Sequence, residues 1–113
     1  MSEAPAPADL IVVLVTTPNV ETAARIGQQV VEERLAACVN VIPQIRSIYR
    51  WQGKVQDDLE ALCLCKTRPE LFERLRDRIA SLHPYEVPEV VALPVAQVNA
   101  AYLAWIATST VSD

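Results

Sequence analysis

The segment most suited to chemistry is residues 83–89 (HPYEVPE), which holds the chain's only histidine, a tyrosine and two glutamates. His83, Glu86 and Glu89 are side chains of metal-ligand type. Each proline fixes its own φ and favours an extended residue before it, so two prolines four residues apart predict a stiff connector that holds these side chains in place. A loop that only joins a helix to a strand is the structural alternative.

Three cysteines add candidate thiol chemistry. Cys63 and Cys65 are spaced like a ligand pair, but strand alternation places both on an apolar face, where free cysteine packs as a small hydrophobe. Cys38 shares a strand face with Asn40, and with His83 and a carboxylate it could bind a divalent ion weakly. His83 and Cys38 are therefore the candidate metal ligands. They are also the one thiol–imidazole combination, although no nucleophile motif surrounds Cys38.

Composition limits the classes of function. The chain has 113 residues, 51% hydrophobic and 21% charged, a balance typical of one globular domain, which we assign to residues 10–113. A net charge of −4 argues against nucleic acid as a partner. The longest apolar runs have about six residues, far short of the roughly 20 that cross a membrane. The Ala/Pro-rich residues 1–9 lack the pattern of a signal peptide and are predicted to be a disordered lead.

Cysteine and glycine usage narrows the classes further. An odd number of cysteines without a disulfide-scaffold pattern is typical of a reducing cytoplasm. Gly27 and Gly53 are the only glycines, which excludes glycine-rich loops that cradle nucleotide phosphates.

Hydrophobic periodicity predicts the elements that must position these residues. We expect Thr17 to cap the first helix, with Pro18 as its first helical residue. Thr67 opens an apparent capping box for the second helix, and Asn99 is placed to cap a short third helix. The predicted strands are residues 10–16, 37–51, 55–67 and 90–95, with a turn at 52–54 and a first helix ending near residue 34.

The order β-α-β-β-α-β plus a terminal helix predicts an α+β fold, a ferredoxin-like sandwich. Right-handed crossovers place both main helices on one face of a four-stranded antiparallel sheet. Pro43 predicts a bulge or an edge position in the second strand, and Pro94 predicts the same near the end of the fourth.

The second and third strands form a hairpin arm that is too long for the domain to cover. Fifteen extended residues span about 50 Å, whereas a compact chain of this size is about 34 Å across. The tip carries Ile48, Tyr49 and Trp51. Exposed strand edges with aromatic side chains need a partner, so we expect the arms to pair with neighbouring subunits.

Polar side chains converge near the strand ends of the predicted sheet. Glu60 and Lys66 lie on one strand face, with Tyr49 and Trp51 opposite them on the hairpin and residues 83–86 on the connector. In a half-buried sheet, charged residues such as these two most often lie at the solvated surface. In an oligomer they could instead line a cleft between subunits, where ligands commonly bind.

Taken in order, the motifs resemble the CutA family of divalent-cation tolerance proteins, in its CutA1 form. They are AACVN at 36–40, S-x-Y-x-W-x-G from Ser47, Lys66-Thr67, HPYExPE from His83, and Y-x-x-W from Tyr102. The resemblance implies a cytoplasmic homotrimer, similar in architecture to PII signalling proteins and linked to copper tolerance. It implies no established reaction, so we predict a protein that is not an enzyme and requires no cofactor.

The resemblance also suggests which residues bind. Some bacterial members have a cysteine and a second histidine, proposed as copper ligands, where this chain has Val15 and Leu82. The favoured function is a trimeric, PII-like binding or signalling module in the response to metal ions, and the alternative is direct copper binding through His83 and Cys38. The predicted ligand-binding residues at the intersubunit cleft are Cys38, Asn40, Tyr49, Trp51, Glu60, Lys66, His83, Tyr85, Glu86 and Trp105.

Overall fold

The computed structural model describes residues 8–112 and confirms an α+β, ferredoxin-like arrangement. A single antiparallel sheet has the strand order β2-β3-β1-β4. The assignment of one domain to residues 10–113 stays a prediction. The elements are β1 (Ile11–Thr17), α1 (Val20–Glu32), β2 (Cys38–Trp51), β3 (Lys54–Thr67), a 3-10 turn (Pro69–Leu71), α2 (Phe72–Leu82), β4 (Val91–Pro94) and α3 (Ala100–Ser109).

The core lies between the sheet and the two main helices. Alternate residues of β1 and β3 point into it, where they pack with the apolar stripes of α1 and α2 in one buried cluster. Cys63 and Cys65 belong to this cluster, as predicted, and are fully buried. Burial raises the pKa of the Cys63 thiol to about 11, and burial also raises that of Cys65.

The opposite side of the sheet, which we call the open face, is apolar and is not covered by α1 or α2. The helix α3 packs at one end of the sheet, against Leu10 and Ala37. Val91 and Leu93 on the edge strand β4 are each 46% exposed. The open face consists mainly of Val12, Leu14, Leu62, Leu64, Val91 and Leu93, which are in register across β1, β3 and β4.

A bulge at Pro43 changes the phase of β2. Ile42 pairs with Leu62 and Ile45 with Glu60, so the register of β2 against β3 shifts by one residue between these pairs. This confirms the bulge expected from the proline. Without it, alternation would turn the odd-numbered residues beyond it towards the helices. With the bulge, every second residue from Ile45 to the hairpin tip lies on the open face.

The hairpin arm projects from the body of the domain. Trp51 pairs with Lys54, and the two turn residues Gln52 and Gly53 both have positive φ, 50° and 78°. This is the left-handed geometry of a tight hairpin turn, which glycine adopts without steric cost. The radius of gyration of 15.2 Å exceeds the about 13 Å of a compact chain of this size. The extended arm accounts for the difference.

The predicted cap of the first helix is wrong. Asn19 is the N-cap, and its side-chain oxygen accepts a hydrogen bond from the Thr22 N–H at 2.8 Å. Thr17 is the last residue of β1, paired with Ala61, and its hydroxyl donates to the Asn19 carbonyl at 2.8 Å. The helix also ends earlier than predicted, because Arg34 adopts a positive φ of 60°.

The capping box at Thr67 is also wrong. Thr67 is the last residue of β3, and its hydroxyl donates to the Leu35 carbonyl at 2.7 Å. Arg68 holds the cap position of the 3-10 turn, and its side chain makes no capping hydrogen bond there. Asn99 does occupy the N-cap of α3, although its side chain makes no capping bond.

The ends of the strands differ slightly from prediction. The first strand begins and ends one residue later, and β4 is shorter than residues 90–95. Of the predicted lead, residues 1–7 lie outside the described residues, while the Ala8 N–H donates to the Val95 carbonyl at 2.8 Å. None of the helices in residues 8–112 combines the length and apolarity needed to cross a bilayer.

Candidate functional site

A pocket of about 580 Å³ lies between the hairpin arm and the connector that follows α2. Its floor is formed by Thr16 at the end of β1 and Glu60 on β3. One wall comes from the arm, chiefly Tyr49 and Trp51. The facing wall comes from residues 85–89 of the connector. The size is typical of a site for a small organic ligand.

His83 fixes the connector to the sheet. The residue before Pro84 is extended, as predicted, with φ −85° and ψ 137°. The His83 Nε2 lies 2.7 Å from the Thr16 carbonyl, and its Nδ1 accepts the Tyr85 backbone N–H at 3.1 Å. These partners assign the proton to Nε2, because a carbonyl can only accept and an N–H can only donate. Both ring nitrogens are therefore engaged in holding the wall of the pocket.

Tyr85 joins the connector to the floor of the pocket. Its hydroxyl donates to Glu60 Oε2 at 2.7 Å, and its ring lies 4.6 Å from that of His83. Glu60 is only 8% exposed, so it is not a solvated surface residue. Burial raises the pKa of Tyr85, and the neighbouring Glu60 carboxylate raises it further.

The arm wall is held by a bond that the sequence did not suggest. The Tyr49 hydroxyl donates to Asp58 Oδ2 at 2.5 Å, and this bond raises the pKa of Tyr49. Asp58 pairs with Ser47, so it lies diagonally across the hairpin from Tyr49. Counting back from the turn would have found this pair. Trp51, 42% exposed, completes the wall nearer the tip.

Four of the predicted ligand-binding residues lie at the other end of the sheet. Cys38 pairs with Lys66, and its thiol is 3.6 Å from Asn40 Oδ1. The Lys66 ammonium lies 5.8 Å from the centre of the Tyr102 ring. Trp105 lines a second pocket there, of about 350 Å³, together with Cys38. Within one chain, the predicted set therefore divides into two groups.

The candidate metal ligands do not meet within one chain. His83 bonds to Thr16, while Cys38 is in register, through Lys66, with Val12. Four residues along β1 and two strand spacings separate them, about 13 Å by about 10 Å. Within residues 8–112, no three His, Cys, Asp or Glu side chains are grouped closely enough to hold a metal ion. Within one chain, His83 and Cys38 are therefore too far apart to share a copper ion. Val15, at the other proposed ligand position, is buried in the core facing the helices.

Several pocket residues were not predicted as ligand-binding. Glu89 was considered only as an additional metal ligand, yet it lines the connector wall. Thr16, Ser47, Ile48 and Val87 contribute the rest of the surface. The alternation of β2 beyond the bulge places Ser47 beside Tyr49 on the open face, a signal that the sequence does contain.

Comparison with known proteins finds relatives that share the name CutA. The chain is 54% identical over 99 residues to the divalent-cation tolerance protein CutA of Thermus thermophilus, covering 88% of this chain and 96% of the relative. It is 51% identical over 109 residues to human protein CutA, of which it spans 61%.

Solved structures give the same result. The CutA1 structure from Oryza sativa superposes with a TM-score of 0.89 at 44% identity, covering 98% of this chain and all of the other. The structure of the divalent cation tolerance protein of Thermus thermophilus superposes with a TM-score of 0.87 at 52% identity, covering 89% and 98% of the two chains. The model of the CutA1 divalent ion tolerance protein family matches residues 11–109, and the chain belongs to this family.

Proposed function

We propose that this chain acts as a homotrimeric, PII-like ligand-binding module in the tolerance of divalent metal ions, without a reaction of its own. The observation that carries the proposal is the pocket between the arm and the connector, which is built on a sheet face that the helices leave open. The names of the relatives support the tolerance role.

Assembly is supported by the open face and the arm. The open face presents apolar side chains from three strands, and Ile48, Val55 and Leu59 on the arm are each at least 60% exposed. Exposed apolar side chains grouped on one surface are typical of protein–protein contacts. We expect sedimentation of a species of three chains, each of 12.5 kDa.

A charge on the open face tests this assembly. Leu93→Glu places a carboxylate on an exposed edge-strand position, so it should dissociate the assembly without removing core packing. Val20→Glu is the matched control, because Val20 is comparably exposed but lies at the start of α1 on the helix side. A wild-type protein that sediments as a monomer when dilute contradicts the proposal.

Direct copper binding through His83 and Cys38 is the alternative function. It requires His83 to give up one of its two hydrogen bonds and to find a thiol that lies at the other end of the sheet. Calorimetric titration with Cu(II) of the wild type and His83→Ala separates the two functions. Stoichiometric binding that His83→Ala abolishes would establish the alternative, and Cys38→Ala shows whether the thiol takes part.

The tolerance role is tested in cells that lack their own copy of this protein. We expect wild-type protein to restore growth in elevated Cu(II), and the pocket variant Glu60→Gln to restore it less well. Glu73→Gln, on the exposed side of α2, is the control. Full restoration by Glu60→Gln would separate the tolerance role from the pocket.

We place the protein in the cytoplasm. An odd number of cysteines without a disulfide-scaffold pattern is typical of a reducing compartment. Relatives carry the names chloroplastic and periplasmic, so localisation of a tagged full-length protein by cell fractionation is the test.

A further inference from the structure

The pocket between the arm and the connector combines two features that select one class of ligand. Three glutamates and three aromatic side chains line it, and among residues 8–112 no lysine, arginine or histidine lines it. We propose that the pocket binds a small organic cation, an amine or a quaternary ammonium compound. This inference rests on the proposed function, since it names the ligand class of the same pocket.

The charge distribution in the pocket opposes an anion. Glu60 is nine-tenths buried, and the Tyr85 hydroxyl holds its carboxylate at the pocket floor through a 2.7 Å hydrogen bond. Glu86 and Glu89 add two further carboxylates on the connector wall. Asp58 stands behind Tyr49. A nucleotide phosphate would face like charges on two sides, whereas a cation gains from each of them.

The aromatic walls favour a cation with an organic body. Tyr49 and Trp51 on the arm and Tyr85 on the connector all line the pocket. The faces of such rings attract ammonium groups, and walls of this composition are the usual recognition site of quaternary ammonium ligands. Val87 on the connector supplies apolar contact for attached methyl or methylene groups.

A bare metal ion fits the pocket poorly. A volume of about 580 Å³ is far larger than an ion requires. Glu60 lies on the floor and the other two glutamates on the connector wall, and no three metal-ligand side chains within residues 8–112 are grouped closely enough to hold a metal ion. The ligand class that matches both the charge and the size is therefore an organic cation.

The test is a titration of the assembled full-length protein, followed by the fluorescence of Trp51. A Trp105→Phe background isolates that signal, because the second tryptophan lies in the other pocket. The probes are choline, its uncharged isostere 3,3-dimethylbutan-1-ol, and ATP. We expect saturable binding of choline, about tenfold or more tighter than of the isostere, and none of ATP.

Variants locate the binding site. Glu60→Gln and Glu86→Gln should each weaken choline binding by about tenfold. Glu86 is exposed on the connector, so its variant keeps the test valid even where Glu60→Gln disturbs folding. The exposed helix variant Glu73→Gln should leave choline affinity unchanged.

Three results would overturn the inference. Equal affinity for choline and its isostere would show that charge is not recognised. ATP binding that the pocket variants abolish would reverse the ligand class while leaving the proposed ligand-binding function intact. Shielding of Trp51 from acrylamide in the ligand-free assembly, with no probe binding, would show that a neighbouring subunit fills the pocket.

Discussion

Replacing Tyr85 with phenylalanine removes one hydroxyl group. The nearly buried carboxylate of Glu60 then loses the hydrogen bond that this hydroxyl donates. Glu60 is 8% exposed, and the lost bond of 2.7 Å is to a carboxylate. A hydrogen bond to a charged group contributes about 1.5–3 kcal/mol to stability. Because Tyr85 is only partly buried and water can enter the pocket, we expect the lower end, about 1.5 kcal/mol. The ring of phenylalanine keeps the contact with His83.

The measurement is equilibrium unfolding in guanidinium chloride at one fixed protein concentration, since assembly contributes to the apparent stability. Tyr102→Phe is the matched control, because the Tyr102 hydroxyl makes no hydrogen bond within residues 8–112 while its ring lies beside Lys66. We expect Tyr102→Phe to change the free energy of unfolding by less than about 0.5 kcal/mol. If Tyr85→Phe costs no more than the control, the bond to Glu60 does not hold the pocket together.

Three further predictions concern alkaline stability, packing and thiol reactivity. Burial and the Glu60 carboxylate raise the pKa of Tyr85 in the folded state, so its contribution to stability is complete below about pH 10 and is lost as the pH rises towards that raised pKa. Above about pH 10, the free energy of unfolding should therefore fall more steeply with pH for the wild type than for Tyr85→Phe. An equal pH dependence of the two proteins would contradict this. Gly27→Ala brings a methyl group to 3.0 Å from Val39 Cγ1, so overpacking should outweigh the gain in helix propensity and lower the free energy of unfolding by about 1 kcal/mol. Val39→Ala in the same chain should relieve part of that loss, and additive losses would exclude the contact as the cause. Only Cys38 should react with a thiol reagent in the native protein, because the other two cysteines are buried and have raised pKa values. All three should react after unfolding, and rapid reaction of a second native thiol would refute the placement of the core thiols.

The sheet and its helices were predictable because their sequence patterns are long. The alternation of β3 and the helical stripe of α2 persist over several repeats, and the structure follows both. The capping predictions failed at Thr17 and Thr67 for a shared reason. Each ends a strand and uses its hydroxyl on a backbone carbonyl, and a short capping pattern does not distinguish that role from a helix cap.

The pocket was only partly predictable. Tyr49 and Trp51 reach the open face because the bulge at Pro43 shifts the phase of β2, and a proline indicates a bulge without giving the number of residues that it adds. The nearly complete burial of Glu60 depends on the return of the connector over β3, which is a tertiary contact. No local pattern specifies such a contact.

The separation of Cys38 from His83, in contrast, follows from the strand order. The first strand ends where the pocket forms, and α1 carries the chain back, so β2 begins at the far end of the sheet. The third strand returns to that end, and α2 crosses again before the connector begins. Cys38 and His83 must therefore lie at opposite ends of the sheet in any ferredoxin-like arrangement of these elements.

The pocket and the open face share residues, and this has a thermodynamic consequence. Thr16 and Glu60 form the pocket floor on the same side of the sheet as Leu14 and Leu62, the side that the proposed assembly buries. If a neighbouring subunit covers that side, a ligand in the pocket contacts a surface that exists only in the assembled state. Ligand binding and assembly then strengthen each other by the same factor. A pocket ligand should accordingly lower the protein concentration at which Leu93→Glu assembles, and an unchanged concentration would show that the two surfaces act independently.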